Sequence, residues 1–289
     1  MLNTARRVPP AACQPAAEPA ALAAWLDAQP RLFVLTGAGC STASGIPDYR
    51  DADGVWRRGT PMAHRDFIGS AARRRRYWAR SLAGWPAFAA ARPNPAHGAL
   101  ADLERAGRIV QLVTQNVDAL HQRAGSQRVI DLHGRLDRVI CLDCGVRRSR
   151  HALQQALLAA NPGWDAQQAR ILPDGDVAVE DDAGFLVPAC PHCGGILKPD
   201  VVFFGERVPP ARVEAAFAAL SEADAVLVVG SSLMVYSGFR FVREAIRLGK
   251  PVAAINLGRT RADDLFTLRL AADAADALPP LVAPFMDAG

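Results

Sequence analysis

The chain has 289 residues, 50% of them hydrophobic and 21% charged, with a net charge of +4. That length buries one large core plus a satellite unit, and the composition excludes a disordered or fibrous chain. The basic excess is too small to argue for nucleic acid by itself, and no apolar run reaches the roughly 18 residues of a membrane span.

Residues 1–19 carry Arg6 and Arg7, then proline and alanine without an apolar core. They read as a disordered tail rather than an export signal. Six cysteines without such a signal point to metal binding over disulfides, and the expected compartment is the cytoplasm.

RLFVLTGAG (31–39) follows as an apolar strand closing on glycines. Residues 50–95 hold Trp56, Trp78, Trp85 and four consecutive arginines, Arg73–Arg76, and read as a helical insertion with the arginines on a solvated face. RIVQLVTQN (108–116), RVIDLHG (128–134), DAVLVVGSSL (224–233) and PVAAINLG (251–258) are four further strands. VDALHQRAG and GFRFVREAIRLG are helices between them. Unbroken Val/Ile/Leu runs of this kind belong to parallel strands covered on both faces.

The predicted fold is therefore α/β, a Rossmann-like doubly wound parallel sheet. Its residues are discontinuous, 20–49, 96–137 and 199–289, interrupted by the helical insertion at 50–95 and a cysteine-bearing unit at 138–198.

Ligands of such sheets bind at the carboxyl ends of the strands, and the polar residues cluster there. Gly37, Ala38 and Gly39 close the first strand, where small residues admit a phosphate, although a tight strand-to-helix turn explains them equally. The continuation SGIPDYR sets Asp48 and Arg50 on a proline-anchored loop beside them. Gln115, Asn116 and Asp118 end the second strand, suited to ribose hydroxyls and a carboxamide. Helix capping would account for one of the three. His133, before Gly134, ends the third strand as a candidate general base. His97 and His121 read as packing or surface residues. Gly230, Ser231, Ser232, Asn256 and Gly258 close the later strands and suit the adenosine half of a dinucleotide.

Cys141-x-x-Cys144 and Cys190-x-x-Cys193 form two knuckle-like pairs. Four thiolates satisfy a tetrahedral Zn²⁺ with no open position, which makes the predicted site structural. The 45 residues between the pairs exceed the roughly 15–20 of the commonest double-pair spacing. GILKPDVVFFGE (195–206) reads either as a core strand or as an edge that takes a substrate peptide by strand addition.

Taken in order, these motifs resemble the sirtuin family of NAD-dependent protein deacylases, over roughly residues 20–285. GAGCSTASGIPDYR resembles its GAG…SGIPDFR loop, TQNVDALHQRAG its TQNID-LH–AG segment, His133-Gly134 its catalytic HG, and KPDVVFFGE its substrate strand. The resemblance implies NAD as co-substrate and one structural Zn²⁺. The pyrophosphate would lie against Gly37–Gly39, Ser41, Ser231 and Ser232. Nicotinamide would enter a recess at Ile46, Asn116 and Asp118, with Asp48, Tyr49, Arg50, Gln115 and Val117 beside it. Asn256, Leu257, Gly258 and Ala274 would close over the adenosine. His133 would take a proton from a ribose hydroxyl, with Asn116 holding the sugar, and the products would be free lysine, nicotinamide and O-acyl-ADP-ribose.

Val202, Phe203, Phe204 and Gly205 would meet an acyl-lysine protein substrate. YWARSLAGWPAFAAARPNPAH resembles the class II, mitochondrial lipoamidase-like branch. Its Tyr77 and Arg80 share the spacing that binds acidic acyl groups in desuccinylating relatives, or they are a surface helix pair. Tyr49 replaces the commoner Phe, and Cys40 the commoner Ile.

Three other readings compete. A mono-ADP-ribosyltransferase would use the same NAD site. A zinc-knuckle nucleic-acid module would want basic and aromatic residues around the cysteines, where this chain has acidic 180–182. A plain dehydrogenase would want the third glycine that Thr42 replaces. No feature sets an oligomeric state.

Overall fold

The structure, a computed structural model, describes residues 17–48, 61–164 and 184–286. Tyr49, Arg50, Trp56, the acidic run at 180–182 and most of the predicted tail lie outside the described residues. Among the described residues, no helix is long and apolar enough to cross a membrane.

Six strands form one parallel sheet. They are β1 (Leu32–Thr36), β2 (Ile109–Thr114), β3 (Val129–Asp131), β7 (Ala225–Val229), β8 (Val252–Ile255) and β9 (Leu268–Leu270), in the order β3-β2-β1-β7-β8-β9. The chain order reverses between β1 and β7, the topological switch point where such sheets open a crevice. Alternate residues of each strand serve opposite faces. Leu32, Val34, Leu227 and Ala253 pack toward α1 (Pro19–Ala28), α4 (Pro95–Arg105) and α9 (Ala274–Met286). Phe33, Leu35, Val226 and Val228 pack toward α7 (Pro210–Glu222) and α8 (Tyr236–Arg247). The sheet is thus doubly wound. The sequence runs anticipate five of its strands and not β9, whose Leu-Arg-Leu is too short and polar to stand out.

The run at 128–134 divides. β3 ends at Asp131, Leu132 and His133 form a link, and β4 (Gly134–Cys141) enters a second sheet. This antiparallel sheet has the order β5-β4-β6, with β5 (Arg147–Ser149) and β6 (Leu197–Val201) on either side of β4. His133 therefore sits on the seam between the two sheets.

The two insertions share one core. α2 (His64–Gly69) and α3 (Ala71–Ala90) supply Phe67, Tyr77, Trp78 and Leu82. β4, β6 and α6 (Arg150–Ala160) supply Leu136, Val139, Leu153, Leu157 and Leu197. Trp78 donates its indole N–H to the Leu197 carbonyl at 3.3 Å. The buried Arg150 donates to the carbonyl and hydroxyl of Ser81, each at 3.0 Å, with its guanidinium 4.9 Å from the Trp85 ring centre. Of the arginine run, Arg73 and Arg76 are exposed, as expected for a solvated face, and Arg74 donates to the Phe67 and Ile68 carbonyls that end α2.

Candidate active site

A cavity of about 720 Å³ opens at the switch point. Gly37, Ala38, Gly39, Asp48, Gln115, Asn116, Val117, His133, Gly230, Ser231, Ser232, Asn256, Leu257, Gly258 and Ala274 line it. Tyr77, Val202, Phe203, Phe204 and Gly205 line it from the second sheet's side. Ser41, Ile46 and Asp118 stand just behind this surface, and Arg80 is not among the lining residues.

The turn after β1 depends on close approach. The amide of Gly37 donates to the Val229 carbonyl at 3.1 Å, and that of Gly39 to the Gly230 carbonyl at 2.8 Å. A Cβ on Gly37 would come within 2.7 Å of Ser231 Cβ. These two amides are engaged by the sheet, so both glycines give proximity rather than donors to a ligand. Asn94, which caps α4, fastens the turn from outside by donating to the Cys40 carbonyl at 2.9 Å and the Ser44 hydroxyl at 3.0 Å.

One hydroxyl organises the turn after β2. Ser41 donates to Asp118 Oδ2 at 2.8 Å and accepts from Asn116 Nδ2 at 3.0 Å. Asn116 Nδ2 is also 3.0 Å from the Gly37 carbonyl. The other Asp118 oxygen takes the amide of Leu120, the first residue of α5 (Leu120–Arg123), at 2.9 Å, although the N-cap position itself is Ala119. Burial, foremost, raises its pKa. His97 and His121 are buried behind this network, with ring centres 4.8 Å apart, and are hydrogen-bonded to Asn94 and Thr36 respectively.

His133 has a defined tautomer. Its Nδ1 lies 2.9 Å from the Gln115 carbonyl, which can only accept, so Nδ1 carries the proton. Nε2 then holds the lone pair, 2.7 Å from Ser237 Oγ. Burial lowers the ring's pKa to about 4, which keeps it neutral and able to accept a proton at Nε2 near neutral pH. Gly134 follows with φ +83°, and any Cβ there would overlap the Asp200 carbonyl. The His133 carbonyl accepts from the Val202 amide at 2.8 Å, fixing the 202–205 run beside the imidazole.

That run leaves β6, whose outer edge has no partner strand among the described residues, and its Phe204 bridges in parallel to Ala63. Of the sequence readings, the core strand holds for Leu197–Val201, and 202–205 lines the cavity. Glu206 closes the run by accepting from the Phe203 amide at 2.9 Å and pairing with the buried Lys198 at 3.0 Å.

The distant cysteine pairs do converge. Sγ of Cys141 is 3.5 Å from that of Cys193, and Cys144 is 3.9 Å from Cys190. A tetrahedron with Zn–S bonds of 2.3 Å has an edge of about 3.8 Å, so the four sulfurs fit Zn²⁺. Gly145 and Gly194, at φ +71° and +75°, make the tight turn after each pair. The antiparallel register of Cys141 with Leu197 brings the pairs together, which chain spacing does not reveal.

The comparisons with known proteins agree with this geometry. The chain matches the Sir2 family over residues 37–237. It belongs to that family. An NAD-dependent protein deacetylase from Xanthomonas axonopodis pv. citri (strain 306) is 61% identical, over 90% of this chain and 89% of that one. The mitochondrial NAD-dependent protein lipoamidase sirtuin-4 of Bos taurus is 51% identical, over 86% and 81%. Among solved structures, a Sir2 protein with a p53 peptide and NAD⁺ aligns at TM-score 0.76 and 30% identity, covering 93% of this chain and 98% of that one. A Sir2 variant with a deacetylated p53 peptide and 3′-O-acetyl ADP ribose aligns at 0.75 and 30%, covering 92% and 97%.

This sirtuin is thus an enzyme of the NAD-dependent protein deacetylase family. The crevice fits NAD: a glycine turn closed against Ser231, polar amides at the strand ends and an apolar recess beside them. Sequence reasoning missed several lining residues, among them Met62, Leu136, Ser237 and Arg240. The strand-end rule could have found Ser237, because α8 starts shortly after β7.

Proposed function

We propose that this sirtuin removes acyl groups from protein lysines and transfers them to ADP-ribose, giving nicotinamide and O-acyl-ADP-ribose. The observation that carries this reading is the neutral His133, with its lone pair presented between the glycine turn and the 202–205 run. The solved relative holding 3′-O-acetyl ADP ribose supports the product.

NAD, when bound, supplies the nicotinamide–ribose bond that breaks and the hydroxyls that take up the acyl group. On this reading, the discontinuous unit of 20–49, 96–137 and 199–289 binds NAD. Gly37, Ala38, Gly39, Ser231 and Ser232 face its pyrophosphate. Gly230, Asn256, Leu257, Gly258 and Ala274 face its adenosine. Asn116, Asp118, Ser41 and Ile46 shape the nicotinamide side, next to Asp48, Tyr49, Arg50, Gln115 and Val117. Nε2 of His133 takes the proton of a sugar hydroxyl and raises that oxygen's nucleophilicity.

The insertion at 50–95, through Tyr77, and the run from Val202 to Gly205 that follows β6 hold the acyl-lysine side. The cavity-lining residues from Val202 to Gly205 suit an extended substrate backbone. The closed Cys₄ set gives Zn²⁺ a structural role. Tyr77 at the cavity wall and the bovine relative support the class II, lipoamidase-like branch. Tyr77 and Arg80, three residues apart on α3, would meet an acidic acyl group on this reading. The cytoplasm is the proposed compartment.

The test is to incubate the purified enzyme with NAD and a panel of acetyl-, glutaryl- and lipoyl-lysine peptides, with mass spectrometry of the products. Matched release of nicotinamide and O-acyl-ADP-ribose from at least one peptide is expected. Nicotinamide release with no acyl loss from any peptide would defeat the reading.

A further inference from the structure

We propose that Ser237 is a positioning residue for His133, holding the imidazole in register until a substrate hydroxyl takes over at Nε2. This inference rests on the reading of His133 as the base.

Ser237 is 8% exposed and lies in the first turn of α8, facing the cavity. Its hydroxyl is 2.7 Å from Nε2. Because Nδ1 already carries the ring's proton, the contact has one polarity: the serine O–H donates and Nε2 accepts. The ring is therefore held from both ends, by a carbonyl on β2's side and a hydroxyl on α8's side. Without the Ser237 hydroxyl, the ring is held by the Gln115 carbonyl alone.

The same helix start also holds the other half of the assembly. A Cβ on Gly238 would overlap Gln115 Oε1, so this glycine lets the Gln115 side chain lie against α8. Gln115 Nε2 donates to Ser231 Oγ at 2.7 Å, while its backbone carbonyl accepts from the His133 Nδ1–H. Gln115 thus anchors Ser231 through its side chain and the His133–Ser237 pair through its backbone carbonyl.

The Ser237 hydroxyl occupies the point from which Nε2 would be approached by a hydroxyl to be deprotonated. It is a stand-in of the same chemistry, a neutral O–H donor, and a sugar hydroxyl can replace it without a change in the ring's tautomer or charge.

The sign of the electrostatic effect is definite. A donor to the Nε2 lone pair stabilises the neutral ring, so its removal raises the pKa of His133. The charged groups around the ring are Arg240 on α8 and Arg212 on α7, which also favour the neutral form. Both remain in place when Ser237 changes.

The experiment uses the full chain with Ser237→Ala and Ser237→Thr. The first readout is the His133 imidazole pKa and tautomer, followed by ¹⁵N–¹H NMR, which needs no turnover. Ser237→Ala should raise that pKa by about 0.5 or more, as expected for loss of a hydrogen bond to the neutral form. Ser237→Thr should restore the wild-type value. The second readout is kinetic. Ser237→Ala should lose about tenfold to a hundredfold in kcat/KM, the cost of a misplaced reacting group, with the acid limb of kcat/KM, which reports the free enzyme, moved to higher pH. Ser237→Thr should recover most of the rate. An unchanged imidazole pKa and tautomer in Ser237→Ala would overturn the proposal. A threonine variant matching alanine in both readouts would do the same. A wild-type enzyme unable to remove any acyl group would defeat the reading of His133 as the base, while the NMR comparison would still judge Ser237.

Discussion

The Ser41 hydroxyl donates to Asp118 Oδ2 at 2.8 Å, and this contact joins the turn after β1 to the turn after β2. The same hydroxyl accepts from Asn116, so one oxygen sets the relative placement of the two loops that flank the crevice. Asp118→Ala should therefore act through displacement of Ser41 and Asn116. The expected loss is about a hundredfold in kcat/KM, measured by steady-state turnover of an acetyl-lysine peptide. A loss below twofold would show that the turns hold their places without this carboxylate.

Gly134 carries His133 into the second sheet with φ +83° and no room for a Cβ beside the Asp200 carbonyl. Gly134→Ala should cost about 2 kcal/mol or more, from backbone strain together with steric overlap. Urea denaturation followed by circular dichroism measures this directly. A midpoint equal to that of wild type would contradict the assigned backbone geometry.

Three buried histidines make stability pH-dependent. Burial holds His97 and His133 at about 4, below the ordinary 6.5, and His121 also lies well below it. Within that window the unfolded chain binds more protons than the folded one. The stability that comes from neutral rings is complete above about 6.5 and is lost as pH falls toward 4. The Tm should therefore fall steeply between pH 6.5 and 4.5, and His97→Asn should flatten part of that slope. A Tm that stays level across the window would contradict this assignment.

The four cysteines tie β4 to the start of β6 through one ion, so metal and fold should be lost together. Wild type should contain one zinc per chain by elemental analysis. Cys141→Ser should contain less than a tenth of that and melt several degrees lower, a common cost of a lost metal site in a domain of this size. A stable, zinc-free variant with full activity would refute the structural role.

Much of this was legible in the chain because it is local. The apolar runs at 32–36 and 225–229 are short, β-branched and closed by glycine, as buried strands are, and Gly37–Gly39, Asn116 and His133 stand at strand ends, where α/β sheets build sites. What stayed hidden depends on pairing across the chain. The shared core of α3 and α6 rests on Trp78, Arg150 and Leu197, which come from three separate segments. The zinc pairs look too far apart until β4 and β6 register. The tautomer of His133 depends on a carbonyl 18 residues away, and its second partner lies 104 residues away. No local pattern encodes those distances. The strand β9 was missed for the opposite reason, since three residues with a central Arg269 carry too little hydrophobic signal.

The measurement that bears most directly on the account is His133→Ala assayed alongside wild type, with NAD binding followed by calorimetry and acyl transfer by mass spectrometry. The account predicts NAD affinity within a few-fold of wild type and acyl-lysine turnover reduced at least a hundredfold, the usual contribution of a positioned base. Undiminished formation of O-acyl-ADP-ribose by the variant, or transfer of ADP-ribose to protein with no acyl loss in the wild type, would contradict it.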